Sequence, residues 1–123
     1  MPATDRVVLI GEPDQATAEL YRRALRVAFE VLAAHDETTL LRTLSARRIA
    51  ALVLEPAIFG RGWTDIVAIS RECAARGIPL VICSTLDERR RGMELGATIY
   101  LVKPTLPSIL LDTLQNVIGS GGA

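Results

Sequence analysis

Four runs of mostly branched apolar residues recur along the chain, each four residues long and free of charged positions. Continuous apolar runs of this length are typical of β-strands that are covered on both faces, as in a parallel sheet. A fifth and weaker run, at residues 30–34, is expected to lie nearer an edge of the sheet. The four strong runs are Val7–Ile10, Ala51–Leu54, Leu80–Cys83 and Ile99–Val102.

Between these runs the apolar positions recur with the period of an α-helix. The stripes are Leu20, Tyr21, Ala24, Leu25 and Ala28; Leu40, Leu41 and Leu44 on a shorter helix; Ile66, Ile69, Cys73 and Ala74; and Leu110, Leu114, Val117 and Ile118. Thr64 and Asp65 are expected to cap the third helix and Gly77 to end it. Residues 87–95 form the remaining, fourth helix.

Strands that alternate with helices predict an α/β fold with right-handed crossovers. With five strands and five helices, the expected architecture is a doubly wound parallel sheet of strand order 2-1-3-4-5. Ligands of such sheets bind outside the carboxyl ends of the strands, at the switch point between the first and third strands. The residues that follow the strands there are Gly11, Glu12, Pro13, Asp14, Glu55, Pro56, Ser84, Thr85, Lys103 and Pro104.

These strand-end residues bring together acidic groups from two strands, a hydroxyl and a lysine. Lysine binds phosphate as a point charge, and Mg²⁺ prefers one or two carboxylates together with waters and phosphate oxygens. The set therefore suits a phosphoryl group, but its specificity depends on the predicted sheet order.

Composition limits the classes of function. The 123 residues predict one domain, residues 1–118, followed by a flexible small-residue tail, residues 119–123. Fourteen basic and fourteen acidic residues give a formal net charge of zero, so neither nucleic acid nor a membrane is an expected partner. Cys73 and Cys83 are expected to be reduced thiols in the core of a cytoplasmic protein.

The segment from Gly96 to Pro104, GATIYLVKP, resembles the fifth-strand signature of response-regulator receiver domains in two-component phosphorelay signalling. The similarity covers residues 6–118 and implies a flavodoxin-like fold. It places Lys103 on the family's phosphate-contacting lysine, Ser84 on its switch hydroxyl and Tyr100 on its switch aromatic residue.

The chain departs from the family pattern at the positions that carry the chemistry. The family has two adjacent acids after the first strand, whereas here Glu12 is followed by Pro13, and Asp14 comes one position late. Glu55 stands where the phosphate-accepting aspartate is expected, and Phe59 replaces a proline. The segment from residue 84 to residue 96 is shorter than usual, so the fourth helix, Asp87 to Leu95, should be short.

These departures predict a degenerate receiver, or pseudo-receiver. Glutamate moves its carboxylate outward by about 1.5 Å, and phosphoryl transfer depends on positioning. Because Pro13 offers no metal ligand, we expect no resident cofactor and weak Mg²⁺ binding at most, through Glu12 and Glu55. Glu55 is expected instead to form an ion pair with Lys103.

Simpler interpretations remain open at several positions. Glu12 and Asp14 could only favour the start of the first helix. Ser84 could cap the fourth helix, and Tyr100 could be packed permanently. The arginines at 89–91 could form a solvated face or a docking patch, and His35 is expected to be a loop residue.

The sequence therefore predicts a non-enzymatic module that binds a protein, either a histidine kinase or a downstream effector. A homodimer through Asp87–Leu95 and the Ile109–Ile118 helix is a further expectation. The alternative is a working Mg²⁺-dependent phosphoacceptor that uses Glu55 or a rearranged acidic site. Trp63, the only tryptophan, is expected close to this site and should report on metal binding.

Overall fold

The structure, a computed structural model, describes residues 6–61 and 63–122. In this part of the chain, five strands form one parallel sheet in the order β2-β1-β3-β4-β5. The strands are β1 (Val7–Gly11), β2 (Glu30–Ala34), β3 (Ala51–Leu54), β4 (Leu80–Ser84) and β5 (Ile99–Val102). The helices are α1 (Gln15–Leu25), α2 (Glu37–Ala46), α3 (Trp63–Ala75), α4 (Arg89–Glu94) and α5 (Pro107–Gly122). The predicted fold, the strand order and the edge position of β2 are confirmed.

The sheet is covered on both faces, which explains the continuous apolar runs. Alternate strand residues such as Leu9, Leu52 and Ile82 pack with the side chains of α2 and α3. Their neighbours, such as Val8 and Val81, pack with α1 and α5 on the opposite face. Both layers therefore draw on the same strands, and a polar residue inside a run would be buried on one face or the other.

The two cysteines lie in these layers as free, buried thiols, as predicted. Burial raises the pKa of the Cys73 thiol to about 11, because the charged thiolate is poorly solvated there. Burial also raises the pKa of the Cys83 thiol. Both side chains therefore act as small apolar residues of the core.

Three stripe residues differ from the expectation. Leu20 is 52% exposed and Leu41 is 40% exposed, and Ala74 is exposed as well. The buried positions of α1 are Ala18, Tyr21 and Leu25, which follow the i, i+3, i+7 spacing of a single helix face. Leu20 lies about 100° around the helix from Tyr21 and so falls outside that face.

Helix α3 begins at Trp63, so Thr64 and Asp65 lie in its first turn and the predicted cap at these residues is wrong. The prediction for its end is confirmed. Gly77 has a φ of +67°, which glycine adopts without a steric penalty. The amide of Ile78 donates to the Cys73 carbonyl and the Gly77 amide to the Ala74 carbonyl, which is the Schellman arrangement.

Helix α4 has six residues, which confirms that it is short. It starts after Glu88, whose side chain makes no capping hydrogen bond, so the alternative in which Ser84 caps it is wrong. Helix α5 continues to Gly122, past the predicted domain end at residue 118. Ala123 and residues 1–5 lie outside the described residues, and the flexibility of the tail stays a prediction.

Candidate functional site

Three charged side chains meet at the carboxyl edge of the sheet. The ammonium nitrogen of Lys103 lies 2.5 Å from Glu12 Oε1 and 3.1 Å from Glu55 Oε1. We call Glu12, Glu55 and Lys103 the strand-end cluster. The predicted ion pair between Glu55 and Lys103 is present, and Glu12 joins it.

The remaining carboxylate oxygens of the cluster accept hydrogen bonds from the backbone. The Asp14 amide donates to Glu12 Oε2 at 3.0 Å, and the Ala57 amide donates to Glu55 Oε2 at 3.1 Å. Glu12 is only 4% exposed and Glu55 only 7%. Each carboxylate therefore has one ionic and one backbone partner, as buried charges require.

The backbone aligns the cluster by extending the strand pairing one residue past each strand. The Glu12 amide donates to Ala34, the Glu55 amide donates to Gly11, and the Lys103 amide donates to Ser84. Because the strands are parallel, these positions reach the same edge of the sheet. The peptide bond after Lys103, to Pro104, is cis.

Two opposing effects act on the pKa of Lys103. Burial lowers this pKa, since it disfavours the charged ammonium. The hydrogen bonds and negative charges of Glu55 and Glu12 raise it, and the net effect is a pKa above the usual lysine value. With both glutamates ionised, the cluster carries a net charge of −1.

Asp14 does not join the cluster. It is exposed and caps α1, because its side chain accepts hydrogen bonds from the amide and the hydroxyl of Thr17. These bonds hold the pKa of Asp14 below its usual value. The helix-start interpretation is therefore right for Asp14 and wrong for Glu12, whose carboxylate faces Lys103.

The two predicted switch residues are buried beside the cluster. Ser84 is 3% exposed, and its Oγ accepts a hydrogen bond from the Leu86 amide at 3.2 Å. Tyr100 is 7% exposed and donates its hydroxyl hydrogen to the Leu86 carbonyl at 2.6 Å. The same hydroxyl accepts from the Glu88 amide at 3.4 Å, so Tyr100 fixes the loop between β4 and α4.

Trp63 lies close to the cluster, as predicted. Together with Glu55, Ser84 and Tyr100 it lines a cavity of about 290 Å³ at the edge of the sheet. The guanidinium of Arg91 lies 4.7 Å from the centre of the Trp63 ring. A cation at this distance is attracted to the face of the ring.

The solved structures most similar in shape to the chain include response-regulator receiver domains. The Francisella response regulator 1452 receiver domain superposes with a TM-score of 0.84 at 18% identity, over 94% of this chain and 98% of that chain. A CheY-like receiver domain protein from Methanospirillum hungatei superposes with a TM-score of 0.83 at 16% identity, over 95% and 96% of the two chains. At these identities, the similarity establishes the fold.

Sequence relatives support the same family. The transcriptional regulatory protein PrrA of Mycobacterium leprae is 28% identical over 126 residues, 98% of this chain and 53% of that protein. The probable transcriptional regulatory protein SilR of Salmonella typhimurium is 31% identical over 121 residues, 93% of this chain and 51% of that protein. The chain is therefore a receiver-like domain, similar to response regulators in sequence and to their receiver domains in shape. It spans about half the length of the curated relatives it matches, and no family model matches it.

The acidic groups of this receiver domain do not fit a Mg²⁺ ion. The Lys103 ammonium already lies between Glu12 and Glu55, and Pro13 supplies no ligand atom. Among residues 6–61 and 63–122, no three His, Cys, Asp or Glu side chains are grouped to hold a metal. That the domain carries no cofactor stays a prediction.

The three arginines of α4 are engaged by local partners. Arg89 pairs with Asp87 at 2.8 Å, Arg90 with Glu94 at 3.3 Å, and Arg91 stacks on Trp63. The predicted basic docking patch is therefore largely neutralised by its neighbours.

Several contacts of the site were not found from the sequence. They are the pairing of Glu12 with Lys103, the stacking of Arg91 on Trp63, and the hydrogen bond between His35 Nδ1 and the Glu12 carbonyl oxygen at 3.0 Å. The ion pair joins residues 91 positions apart, so local spacing carries no signal for it. The only sequence signal for the pairing of Glu12 with Lys103 was that each residue directly follows a strand.

In the described part of the receiver domain, no helix is long and apolar enough to cross a membrane.

Proposed function

We propose that this receiver domain is a protein-interaction module whose conformation is set by its strand-end cluster and not by phosphorylation. The observation that carries the proposal is that the Lys103 ammonium binds both Glu55 and Glu12. In the receiver family, this lysine contacts the phosphoryl group. Here the chain supplies that contact from its own carboxylates.

Electrostatics supports the proposal. A phosphoryl group adds about −1.5 to −2 charges near neutral pH. In this domain it would be added next to a buried cluster that already carries a charge of −1. Without a fitted cation, the repulsion and the desolvation of the added charge both oppose the modification.

A protein that works in this way has no catalytic task of its own and needs no cofactor. We assign it to the cytoplasm, where receiver domains meet their partners. The relatives PrrA and SilR are named as transcriptional regulatory proteins. A partner in the same signalling system, either a histidine kinase or a downstream effector, is consistent with this. We propose that the domain contacts neither nucleic acid nor a membrane directly.

The surface proposed for a partner, or for a second copy of the chain, is formed by α4 and α5. Apolar side chains are exposed on and beside these helices. Met93 and Ile109 are each 47% exposed, and Leu106 is 66% exposed. Because the α4 arginines are paired locally, apolar contact is the main interaction that this surface offers.

Phosphodonor labelling tests the proposal. The wild-type protein, Glu55→Asp and the double variant Pro13→Asp/Glu55→Asp are incubated with acetyl phosphate and Mg²⁺, and phosphorylation is read from intact mass. We expect no labelling of the wild type. The double variant restores the family pattern and should label, which shows that the assay and the fold are competent.

Labelling of the wild type to the same extent as the double variant would show that the working-phosphoacceptor alternative is right. Mg²⁺ titration followed by Trp63 fluorescence provides a second measurement, because Trp63 and Glu55 line the same cavity. A flat response at millimolar Mg²⁺ supports the proposal. Strong quenching supports the alternative.

Sedimentation of the purified protein tests the homodimer. If α4 and α5 form the interface, Met93→Glu and Ile109→Glu should shift the sample to monomer, because each places a charge in an apolar contact. Val27→Glu is the matched control, since Val27 is 73% exposed and lies between α1 and β2. If the wild type is monomeric at all concentrations tested, the homodimer is wrong and the partner must be a different protein.

A further inference from the structure

A cavity lies beside Glu55, and the other two members of the strand-end cluster are not among its lining residues. Its volume is about 290 Å³, near the lower end of the range for small-molecule pockets. Its walls are mainly apolar and include Phe59, Trp63, Leu86 and Tyr100. Glu55 is the charged group among the lining residues.

Three aromatic residues of the cavity wall are held by contacts within the fold. Tyr100 is held by hydrogen bonds to the Leu86 carbonyl and the Glu88 amide. Arg91 stacks on the ring of Trp63 and restrains it. Phe59 is 5% exposed and belongs to the core. Because these three rings are already held in place, ordering them around a ligand adds little to the entropic cost of binding.

The charge of the cluster determines what can bind. Glu55 belongs to a buried group that carries −1 in total, so an anion in the cavity would meet repulsion. Glu55 Oε1 and Oε2 each have one partner in the chain, and a carboxylate has about four lone-pair sites. The carboxylate can therefore accept one more hydrogen bond from a ligand.

From these observations we propose that the cavity is a binding site for a small planar aromatic molecule that is uncharged or positively charged. The aromatic part packs between Trp63 and Tyr100, and a hydroxyl or ammonium substituent donates to Glu55. This proposal concerns a different ligand from the protein partner. It concerns the unphosphorylated domain, in which the Glu55 carboxylate is free to accept the hydrogen bond.

Three matched probes test the proposal. They share a naphthalene ring and differ in one substituent: 2-naphthylmethylamine, 2-naphthalenemethanol and 2-naphthoate. Binding to the full ¹⁵N-labelled chain is followed by NMR. The indole N–H of Trp63 gives a unique signal, because the chain has one tryptophan. We expect this signal and the amides of Ala57 and Leu86 to shift with the amine and the alcohol. The carboxylate should bind at least about tenfold more weakly.

Variants locate the binding. Ala57→Phe places a ring at an exposed position of the cavity wall and should weaken binding of the amine and the alcohol by about tenfold or more. Ala68→Phe is the matched control at an exposed position of the cavity between α2 and α3, which shares only Phe59 with the Glu55 cavity, and it should bind the probes as the wild type does. Glu55→Gln should remove most of the preference for the amine over the carboxylate, since the cluster then becomes neutral.

The amide spectrum and the thermal unfolding of each variant show whether it is folded. If Ala57→Phe does not fold, Leu86→Ala provides the same test, because Leu86 is 65% exposed and contributes little to the core. Binding of the three probes with equal strength, unchanged binding in the folded Ala57→Phe variant, or no shift at Trp63 at millimolar probe would each overturn the proposal.

Discussion

The strand-end cluster and the arginines of α4 are two charged regions of this receiver domain that are built differently. Glu12, Glu55 and Lys103 directly follow three strands that are distant in sequence, and their side chains are 5%, 8% and 13% exposed. Arg90 pairs with Glu94 one helical turn away, and these side chains are 94% and 65% exposed. Both regions look like functional charges in the sequence, but only the first is held inside the fold.

The two regions differ in how much the free energy of unfolding depends on their ion pairs. An exposed pair one turn apart competes with water, and such pairs contribute little to stability. A buried charge that loses its partner keeps its desolvation cost, so removing one member is strongly destabilising. The conformation at the edge of the sheet should therefore depend on the cluster. The α4 region should depend on packing against Tyr100 and Trp63.

The largest expected effect follows the removal of Lys103. Lys103→Met leaves two buried carboxylates without a cation and should lower the free energy of unfolding by about 3–5 kcal/mol. Urea unfolding measures this change. Arg90→Ala is the control from the exposed region, and it should leave the unfolding midpoint unchanged within error. Equal losses of unfolding free energy in the two variants would contradict the conclusion that only the buried cluster contributes strongly to stability.

A smaller effect is expected where α4 meets β5. A Cβ on Gly92 would lie 2.4 Å from Tyr100 Cδ2, so Gly92→Ala must displace either the helix or the ring. Overpacking of this kind costs about 1–3 kcal/mol. Gly119→Ala is the matched helix control, because nothing lies within 4 Å of its Cβ and alanine should stabilise the helix there. Thermal unfolding should shift in opposite directions for the two variants.

The pH dependence of stability tests whether the ionised Lys103 stabilises the strand-end cluster. The folded pKa of Lys103 is raised above its value in the unfolded chain, about 10.4. The ion-pair stability is then fully present below about pH 10.4 and is lost as the pH rises through the folded pKa. The stability difference between wild type and Lys103→Met should therefore shrink in urea unfolding as the pH rises above about 10.4. The pKa values of Tyr21 and Tyr100 are also raised, but both tyrosines are present in both proteins. A difference that stays constant over this range would contradict the assigned role of Lys103.

The smallest effect is expected at the contact between α4 and α3. Arg91→Ala removes the cation above Trp63 and should cost about 0.5–1 kcal/mol, as at other exposed sites. The fluorescence of Trp63 should change in the same variant. Arg89→Ala removes an arginine that pairs with Asp87, and the fluorescence should not respond. If both variants change the fluorescence equally, the stacking is not specific to Arg91.

The sequence predicted the elements more accurately than their ends. The five apolar runs became the five strands because branched residues without polar positions suit a sheet covered on both faces. Gly77 marked the end of α3 because the left-handed backbone there favours glycine. Thr64 and Asp65 misplaced the start of α3, because acidic and hydroxyl residues are also favourable inside the first helical turn.

The candidate site was predicted in part. The positions of Glu55, Ser84, Tyr100 and Lys103 followed from the strand ends and from the family resemblance. The predicted acidic pocket of Glu12 and Asp14 is right for Glu12 alone, because the Glu12 side chain contacts Lys103 whereas that of Asp14 caps α1. The two residues are only two positions apart, and which of them faces Lys103 depends on where β1 ends.

The sequence by itself determined that this chain forms a five-stranded parallel sheet and that acidic and basic residues follow its strands. These properties depend on local apolar patterns and on the alternation of strands and helices. Only the tertiary structure decided which charges are paired and which are exposed. Lys103 reaches Glu12 and Glu55 because parallel strands end at one edge, where low solvent exposure makes each charge depend on its partner.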